Sequence, residues 1–402
     1  MLKNKKVTLL ISGGIAAYKI PELVSSLVKH EADVTCVLTE SAEKFVSPLV
    51  LATLSKKKVY TDDDFFDHGS SPGKVVHIAL AQETDLVVLA PATANSIAKF
   101  SRGIGDNLVT SILLATHKPV IVFPSMNDIM YGNTVTQGNM DRLVKEGAVV
   151  IRPDSGFLAC GSTGAGRLPD IPVVLEHIRY MLYDKKELKG KKVLVNAGGT
   201  KERIDSARCI SNYSSGKMGI SLAKEAFYRG ALVTLVIAGN SGLRMPYINV
   251  ISAETADVMY GYMRKEAENA DIAVFAAAVS DFRPESPIGG KIRKTDEIHI
   301  KFIENTDIAK ELGKTKGNRV HIGFCACTDE LKQTAVSKLK DKNFDIIFAN
   351  DISDERQVFG SDNNSGFLIN RSGGIAEIPL GSKDEIAAVI FDEACKFINE
   401  RR

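Results

Sequence analysis

Two three-layer α/β domains are what this sequence predicts, and three observations carry the prediction. Short β-branched runs alternate with amphipathic helical patterns from one end of the chain to the other. The 402 residues exceed one ordinary core and suit two domains of about 200 residues each. A charged stretch, Asp184–Lys192, follows a helical pattern and precedes a fresh strand, so the alternation begins again there. The expected organisation is a first domain over 1–183, a linker over 184–190 and a second domain over 191–402.

In the first half the strand-like runs are Val7–Ile11, Val34–Leu38, Leu86–Ala90, Val120–Phe123 and Ala148–Ile151. They are continuously apolar rather than alternating, which fits strands buried on both faces. Amphipathic segments such as Lys19–Lys29 and Met140–Glu146 would cover a parallel sheet from both sides through right-handed crossovers. The second half repeats the scheme with Val193–Asn196, Leu232–Ile237, Ile272–Ala276, Val320–Phe324, Asp345–Ala349 and Phe367–Ile369. No fixed-period repeat is evident.

Hydrophobic residues make up 44% and charged residues 25%, and the formal charge of +2 creates no field to hold nucleic acid or an anionic membrane. A small-molecule partner is therefore expected. The opening MLKNKKVTLLISGG has an apolar run too short for a secretion signal or a span, so a cytoplasmic protein is expected. The six cysteines form no C-x-x-C pair. Cys325 and Cys327 would share one face of a strand, and reduced core thiols account for most of the six.

Ligands of parallel α/β sheets sit beyond the carboxyl ends of the strands. Ser12–Lys19 (SGGIAAYK) falls there, where Gly13 and Gly14 permit close backbone approach and the next helix offers unpaired N–H groups to an anion. It is not a G-x-G-x-x-G motif, and paired glycines also serve tight strand-to-helix turns. Thr39–Phe45 and Pro91–Phe100 carry further small side chains at strand ends, and three such loops suit a flat ring with a phosphate tail. His77, at an expected helix start, has acid–base capacity as well as the ordinary structural role of a lone histidine. Asn127, after the fourth strand, can bond a substrate carboxylate or cap a helix. The run Pro153–Asp170 puts Cys160 into a glycine-rich segment ending in Arg167, a fork for phosphate or carboxylate. A lid over an anionic substrate and a surface Ω-loop with an incidental cysteine both fit that run alone.

In this order SGGIAAYK, His77, APATAN, PSMN and ACGSTGAGR resemble the flavin-dependent phosphopantothenoylcysteine decarboxylases over nearly all of the first half. The resemblance implies a flavodoxin-like (Rossmann-like) domain with FMN at Gly13, Gly14, Ile15, Thr39, Ala92, Thr93 and Ala94. It also implies His77 as catalytic base, Asn127 as holder of the carboxylate, Cys160 as proton donor on a lid, and Arg167 in substrate binding. The chemistry needs such groups, because oxidation of the substrate thiol by a flavin gives the electrons left behind by CO₂ a sink. The product carbon must then be protonated away from bulk water. Ser125 stands where the family more often has alanine, and Leu168 where methionine often follows the arginine. Neither departure removes a catalytic group.

In the second half, Gly198–Thr200 ends a strand, and Arg208 and Ile210–Gly219 (ISNYSSGKMG) follow. Glycine, hydroxyl and lysine together suggest phosphate, but G-x-x-x-x-G-K-[ST] is absent, which disfavours a P-loop kinase or ATPase. An ordinary helix start explains the same residues. Farther on lie Val274–Glu285, Lys291–Lys294, Glu304–Ala309, Ile322–Thr328, and Lys338 with Lys342 at helical i, i+4 spacing. The set resembles the phosphopantothenate–cysteine ligases over most of residues 190–402. That resemblance implies a Rossmann-like domain using CTP with Mg²⁺ through an acyl-cytidylate. It sets Ala276, Ala277, Asp281, Lys291, Thr306, Asp307, Ile308, Ala309, Phe324, Lys338 and Lys342 around CTP, with Lys291 and Asn212 catalytic and Arg208 and Asn212 on phosphopantothenate. Metal ligands stay unassigned. Thr306 stands where proline is common, and Phe275 and Ala276 occupy variable positions, which loosens the nucleotide preference more than the reaction class.

The two resemblances together imply a bifunctional enzyme of coenzyme A biosynthesis, ligation followed by decarboxylation. They imply a homo-oligomer too, with trimeric flavin domains and dimeric ligase domains combining into a dodecamer. A flavin prenyltransferase of similar fold and a flavin-binding regulatory scaffold are the rival readings; neither needs Cys160 together with a ligase partner.

Overall fold

In the computed structural model, the structure describes residues 2–66, 75–157, 161, 163–239, 243, 245–293, 298–327, 330–351 and 360–400. It divides into two compact units, Met1–Asp184 and Lys185–Arg402.

The first unit is built on β1 (Lys6–Ile11), β2 (Asp33–Leu38), β3 (Leu86–Ala92), β4 (Val120–Pro124) and β5 (Val149–Val150), all parallel in the order β2-β1-β3-β4-β5. Side chains alternate across the sheet, so each strand feeds two cores. Leu9, Ile11, Val88 and Phe123 join one apolar cluster, while Leu10, Val87, Leu89 and Val122 join another. Against the first cluster pack α1 (Ile20–Lys29) and α9 (Ile171–Leu182). Against the second pack α5 (Ala94–Arg102), α6 (Leu108–Ala115) and α8 (Thr134–Lys145). The short helices α2 (Glu40–Glu43), α3 (Pro48–Ser55), α4 (Val76–Gln82) and α7 (Asp128–Gly132) sit on the connections. The strand order reverses between β1 and β3, which opens a crevice at their carboxyl ends.

The glycine-rich run differs from an irregular loop. It forms an antiparallel ribbon of β6 (Asp154–Phe157) and β7 (Thr163–Arg167), with a register shift between Asp154 and Ser155. Gly164 and Gly166 on β7 let the ribbon lie close to Asp128 of α7 and to the Met126 backbone before it, a contact that composition alone did not disclose.

The second unit has an eight-stranded sheet in the order β12-β11-β8-β13-β16-β17-β18-β19. Its strands are β8 (Lys192–Ala197), β11 (Leu232–Ile237), β12 (Asn249–Ser252), β13 (Ile272–Phe275), β16 (Val320–Cys327), β17 (Ile346–Asp351), β18 (Asn363–Asn370) and β19 (Ile375–Ser382). Pairing is parallel from β12 to β17 and antiparallel for β18 and β19. The sequence pattern found only three residues of β18 and missed β19, whose side chains are largely exposed on this edge strand. Helices α10 (Lys217–Tyr228) and α14 (Lys383–Glu400) cover one face, and α11 (Ala256–Ala267), α12 (Ile308–Lys314) and α13 (Leu331–Asp341) the other. Two small ribbons project near the strand ends: β9 (Lys201–Arg203) with β10 (Cys209–Ser211), and β14 (Phe282–Pro284) with β15 (Phe302–Glu304). Cys325 and Cys327 lie two apart on β16 and face one cluster, as the spacing predicts.

Buried charge fixes register in this unit. Arg229, fully buried, bonds Glu225 at 2.7 Å and Asp392 at 2.7 Å and so joins α10 to α14. Asp345, likewise buried, accepts from the backbone N–H of His321 at 2.8 Å and pairs with Lys316 at 2.7 Å. Removing one partner of such a pair would leave a buried charge uncompensated. No helix among the described residues is long and apolar enough to cross a membrane.

His177 on α9 meets the Phe123 ring edge-on at 6.2 Å, and burial lowers its pKa to about 4 against an opposing pull from Glu176. The folded chain therefore holds it neutral while the unfolded chain takes a proton below about pH 6.5. Its contribution is complete above pH 6.5 and declines as pH falls toward 4. Urea unfolding of the first unit should lose on the order of 1–2 kcal/mol over that window, allowing for its partial exposure. His177→Asn should flatten this limb; an unchanged slope would show that another group carries it.

Candidate active sites

In the first unit the strand-end loops are sewn together by short polar contacts. Ser12 Oγ donates to the Pro91 carbonyl at 2.6 Å and accepts the Thr93 N–H at 2.9 Å, which ties the loop after β1 to the loop after β3. Ser125 N–H bonds the Ala92 carbonyl at 2.9 Å, adding the loop after β4, and Met126 N–H bonds the Gly166 carbonyl at 2.9 Å, adding the ribbon. These loops enclose an open cavity of about 1090 Å³.

Most of the first-half site residues derived from the sequence line that cavity: Gly13, Gly14, Ile15, Thr39, Thr93, Ala94, Asn127 and Arg167. A side chain at Gly13 would stand 2.3 Å from Ser41 Cβ, so the backbone approaches the cavity floor where only glycine fits. Thr39 and Thr93 cap α2 and α5, accepting from Ala42 N–H at 3.2 Å and Ser96 N–H at 3.3 Å. Asn127 caps α7 through bonds from Ile129 and Met130. The capping role and the place on the cavity wall thus coexist. Ser125 and Leu168, the two departures, also border the cavity.

Three residues fall elsewhere. Ala92 is fully buried within β3 and belongs to the apolar cluster rather than the wall. His77 is the second residue of α4, 5.5 Å from the Phe65 ring, and is absent from the wall in a single chain. Its Nδ1 is buried with no hydrogen-bond partner among the described residues. Cys160 lies outside the described residues. Sequence reasoning passed over Lys19, which borders the cavity and pairs with Asp170 at 3.8 Å, as Arg167 also does. A lysine following a strand-to-helix turn was the available signal. Arg167 Nε is buried with no partner among the described residues.

In the second unit, Ala276, Ala277 and Phe324 line a cavity of about 170 Å³ together with Gly216, Lys217 and Lys383. Buried Asn196 at the end of β8 sets this wall by accepting the Ala277 N–H at 2.9 Å. Thr200 does the same for Ser280 at 2.9 Å, and Asn212 Nδ2 donates to the Val279 carbonyl at 3.1 Å. A polar residue closing an apolar strand was the signal for Asn196. Lys383 gave none, since only the antiparallel β18–β19 return brings it to the cavity.

The remaining ligase-half residues derived from the sequence do not line that cavity. The backbone carbonyl of Asp281 accepts from Asn305 N–H at 2.8 Å, which sets it beside Thr306. Asp307 caps α12 and meets Lys342 at 2.9 Å. Burial would raise its carboxyl, but the Lys310 N–H and the Lys342 ammonium hold it below the usual range. Ile308 and Ala309 are core side chains, so any ligand contact from them is made by backbone. Lys338 lies beside Cys325: burial pushes that thiol up, while the Lys338 charge pulls it down. Lys217 reaches the Gly360 carbonyl and Asp362, both at 2.7 Å, which is unlike a lysine curled over a phosphate loop. Lys291 is exposed, and Arg208 pairs with Asp205 at 2.7 Å. Among the described residues no group of three or more His, Cys, Asp or Glu side chains forms a metal cage.

The family model for flavoproteins matches residues 1–182, and the model for the C-terminal domain of DNA/pantothenate metabolism flavoproteins matches residues 188–397. The coenzyme A biosynthesis bifunctional protein CoaBC of Vibrio parahaemolyticus is 40% identical over 397 residues, spanning 98% of each chain. The chain belongs to this bifunctional family. The Escherichia coli protein of the same name is 38% identical over 405 residues, covering 100% of this chain and 99% of that one. A solved PPC decarboxylase mutant, complexed with pantothenoylaminoethenethiol, is 32% identical over 44% of this chain and 97% of that one, with a TM-score of 0.42. By its full-length relatives and the two family models, the protein is a bifunctional enzyme of coenzyme A biosynthesis, with a flavoprotein decarboxylase half followed by a ligase half.

Gly166 holds the ribbon to the cavity at φ +153°, and a Cβ there would stand 2.1 Å from the Met126 carbonyl oxygen. Gly166→Ala should therefore lift the ribbon at a strain of about 1–3 kcal/mol. Decarboxylation should fall roughly tenfold or more while ligation in the same sample persists. Parallel loss of CO₂ and pyrophosphate release would instead indicate a general folding defect.

Proposed function

We propose that the ligase half joins cysteine to 4'-phosphopantothenate at the expense of CTP, and that the decarboxylase half converts the product to 4'-phosphopantetheine with FMN. The observation that carries this reading is the convergence of Gly13, Gly14, Thr39, Thr93, Asn127 and Arg167 on one cavity at the switch point of a parallel sheet.

The cavity fits FMN. It is wide enough, its floor at Gly13 is bare, and the starts of two helices face it. When bound, FMN supplies a two-electron sink for the thiol and later returns the electrons. In this assignment the Asn127 amide orients the departing carboxylate, Arg167 neutralises an anionic substrate group, and Cys160 delivers a proton to the product carbon. Phe157, Gly166 and Arg167 on the ribbon arms border the cavity, so the ribbon would keep that step from bulk water. His77 serves as the base. Since it stands off the wall of its own chain, the assignment calls for an oligomer in which the His77 of one copy reaches the cavity of another. Trimeric flavin halves joined to dimeric ligase halves, a dodecamer in all, would provide this.

On the ligase side the carboxylate of phosphopantothenate attacks the α-phosphate of CTP, pyrophosphate leaves, and the cysteine amine then displaces CMP to form the amide. Ala276, Ala277 and Phe324 frame the nucleotide, and Lys291 offsets the charge on the leaving pyrophosphate. Arg208 and Asn212 hold the acyl partner. Magnesium would arrive on the triphosphate, whose oxygens suit that ion.

Incubation with phosphopantothenate, cysteine, CTP and magnesium should yield pyrophosphate and CO₂ in sequence. Pyrophosphate without CO₂ would overturn the decarboxylase assignment, and neither product would overturn both. His77→Asn should remain folded and yellow yet release no CO₂; a colourless protein would assign His77 to the cofactor site instead. In rapid-quench assays with labelled CTP, Lys291→Gln should impair acyl-cytidylate formation. Asn212→Asp should let that intermediate persist, because it sets a carboxylate beside an anion and removes amide donors. Equal loss of pyrophosphate formation in both variants would defeat this division of roles.

A further inference from the structure

The turn between β9 and β10 contains an aspartate whose two carboxylate oxygens do different work. Asp205 Oδ1 accepts the N–H groups of Ala207 at 2.6 Å and Arg208 at 2.7 Å, which is what an aspartate does to close its own turn. Oδ2 takes no backbone bond from that turn. It accepts from Arg208 Nη1 at 2.7 Å and from the backbone N–H of Ile292 at 3.0 Å, across 87 residues of sequence. The same guanidinium nitrogen also donates to the Ile292 carbonyl at 3.3 Å.

We propose that Asp205 is a positioning residue of the ligase site, one buried carboxylate that sets Arg208 and the segment carrying Lys291 in a single fixed relation. This rests on the ligase reading above, in which Arg208 addresses phosphopantothenate and Lys291 the triphosphate. Neither of those side chains is itself buried: the Arg208 side chain is 48% exposed and Lys291 is exposed, whereas that of Asp205 is 0% exposed. The rigid point of the arrangement is therefore the carboxylate. Two backbone bonds reinforce the junction, from Ile288 N–H to the Ile204 carbonyl at 2.9 Å and from Ser206 N–H to the Gly290 carbonyl at 3.3 Å. Burial alone would raise the Asp205 carboxyl, but the N–H groups of Ala207, Ile292 and Arg208 and the Arg208 charge hold it below the usual range. It stays an acceptor on both oxygens throughout the neutral range. A substrate anion drawn to Arg208 competes for the guanidinium that Asp205 shares with the Lys291 segment. Occupancy of the acyl site and placement of Lys291 are thereby coupled.

The test uses the full chain. Asp205→Asn keeps an acceptor for the turn but replaces the other with a donor, so pyrophosphate release should show KM values raised about tenfold for both phosphopantothenate and CTP. Decarboxylation of phosphopantothenoylcysteine supplied directly should be unchanged, which checks the remainder of the molecule. In an Arg208→Ala background the added effect of Asp205→Asn should shrink, because the two act through one another. Ile292→Pro removes the N–H at Oδ2 and also restricts the backbone of Lys291 before it, so it should raise the KM for CTP more than that for phosphopantothenate. Wild-type KM values in Asp205→Asn, or an undiminished effect in the Arg208→Ala background, would overturn the inference alone. A wild-type chain that releases no pyrophosphate would overturn the ligase reading and this inference with it.

Discussion

Parallel strands joined by right-handed crossovers place every carboxyl end on one edge of the sheet, and both sites depend on that constraint. In the first unit the loops after β1, β2, β3 and β4 meet because β1 and β3 are neighbours while their connections diverge to opposite sides. In the second unit β8 and β13 stand in the same relation, and the small cavity lies beyond their ends. The sheet supplies the place, and short polar side chains sew the loops into a wall.

Several of those side chains do two things at once. Thr39, Thr93 and Asn127 satisfy helix N–H groups that would otherwise be orphaned, and the same residues border the cavity. This economy holds a recognition surface rigid, since each group's backbone is fixed by its own cap. Ser12 supports the wall in another way: its hydroxyl donates to Pro91 near the end of β3 and accepts from Thr93 just beyond it, which ties the loop after β1 to both.

Charge is arranged differently in the two units. The ligase half holds cations through buried carboxylates: Asp205 holds Arg208, and Asp345 holds Arg371 and Lys316. The decarboxylase half keeps Lys19 and Arg167 together over one exposed Asp170 beside the cavity.

The sequence by itself determined the elements that bury continuous apolar runs. β1, β3, β4, β8, β11 and β13 were legible because a strand covered on both faces must be apolar throughout, and motif order then disclosed the family. Strand-end glycines and hydroxyls marked most of the first site for the same local reason. Only the tertiary structure decided the rest. The edge strand β19 and the glycine-rich ribbon bury too little to leave a pattern, and Lys383 reaches its cavity only through a chain reversal that no local signal encodes. Ala92 left the wall, and His77 stands away from it, because facing is set by strand register and helix packing rather than by position in a motif. The bond from Ile292 to Asp205 joins residues 87 apart, and its existence depends on where the β9–β10 turn and the segment between β14 and β15 meet in space.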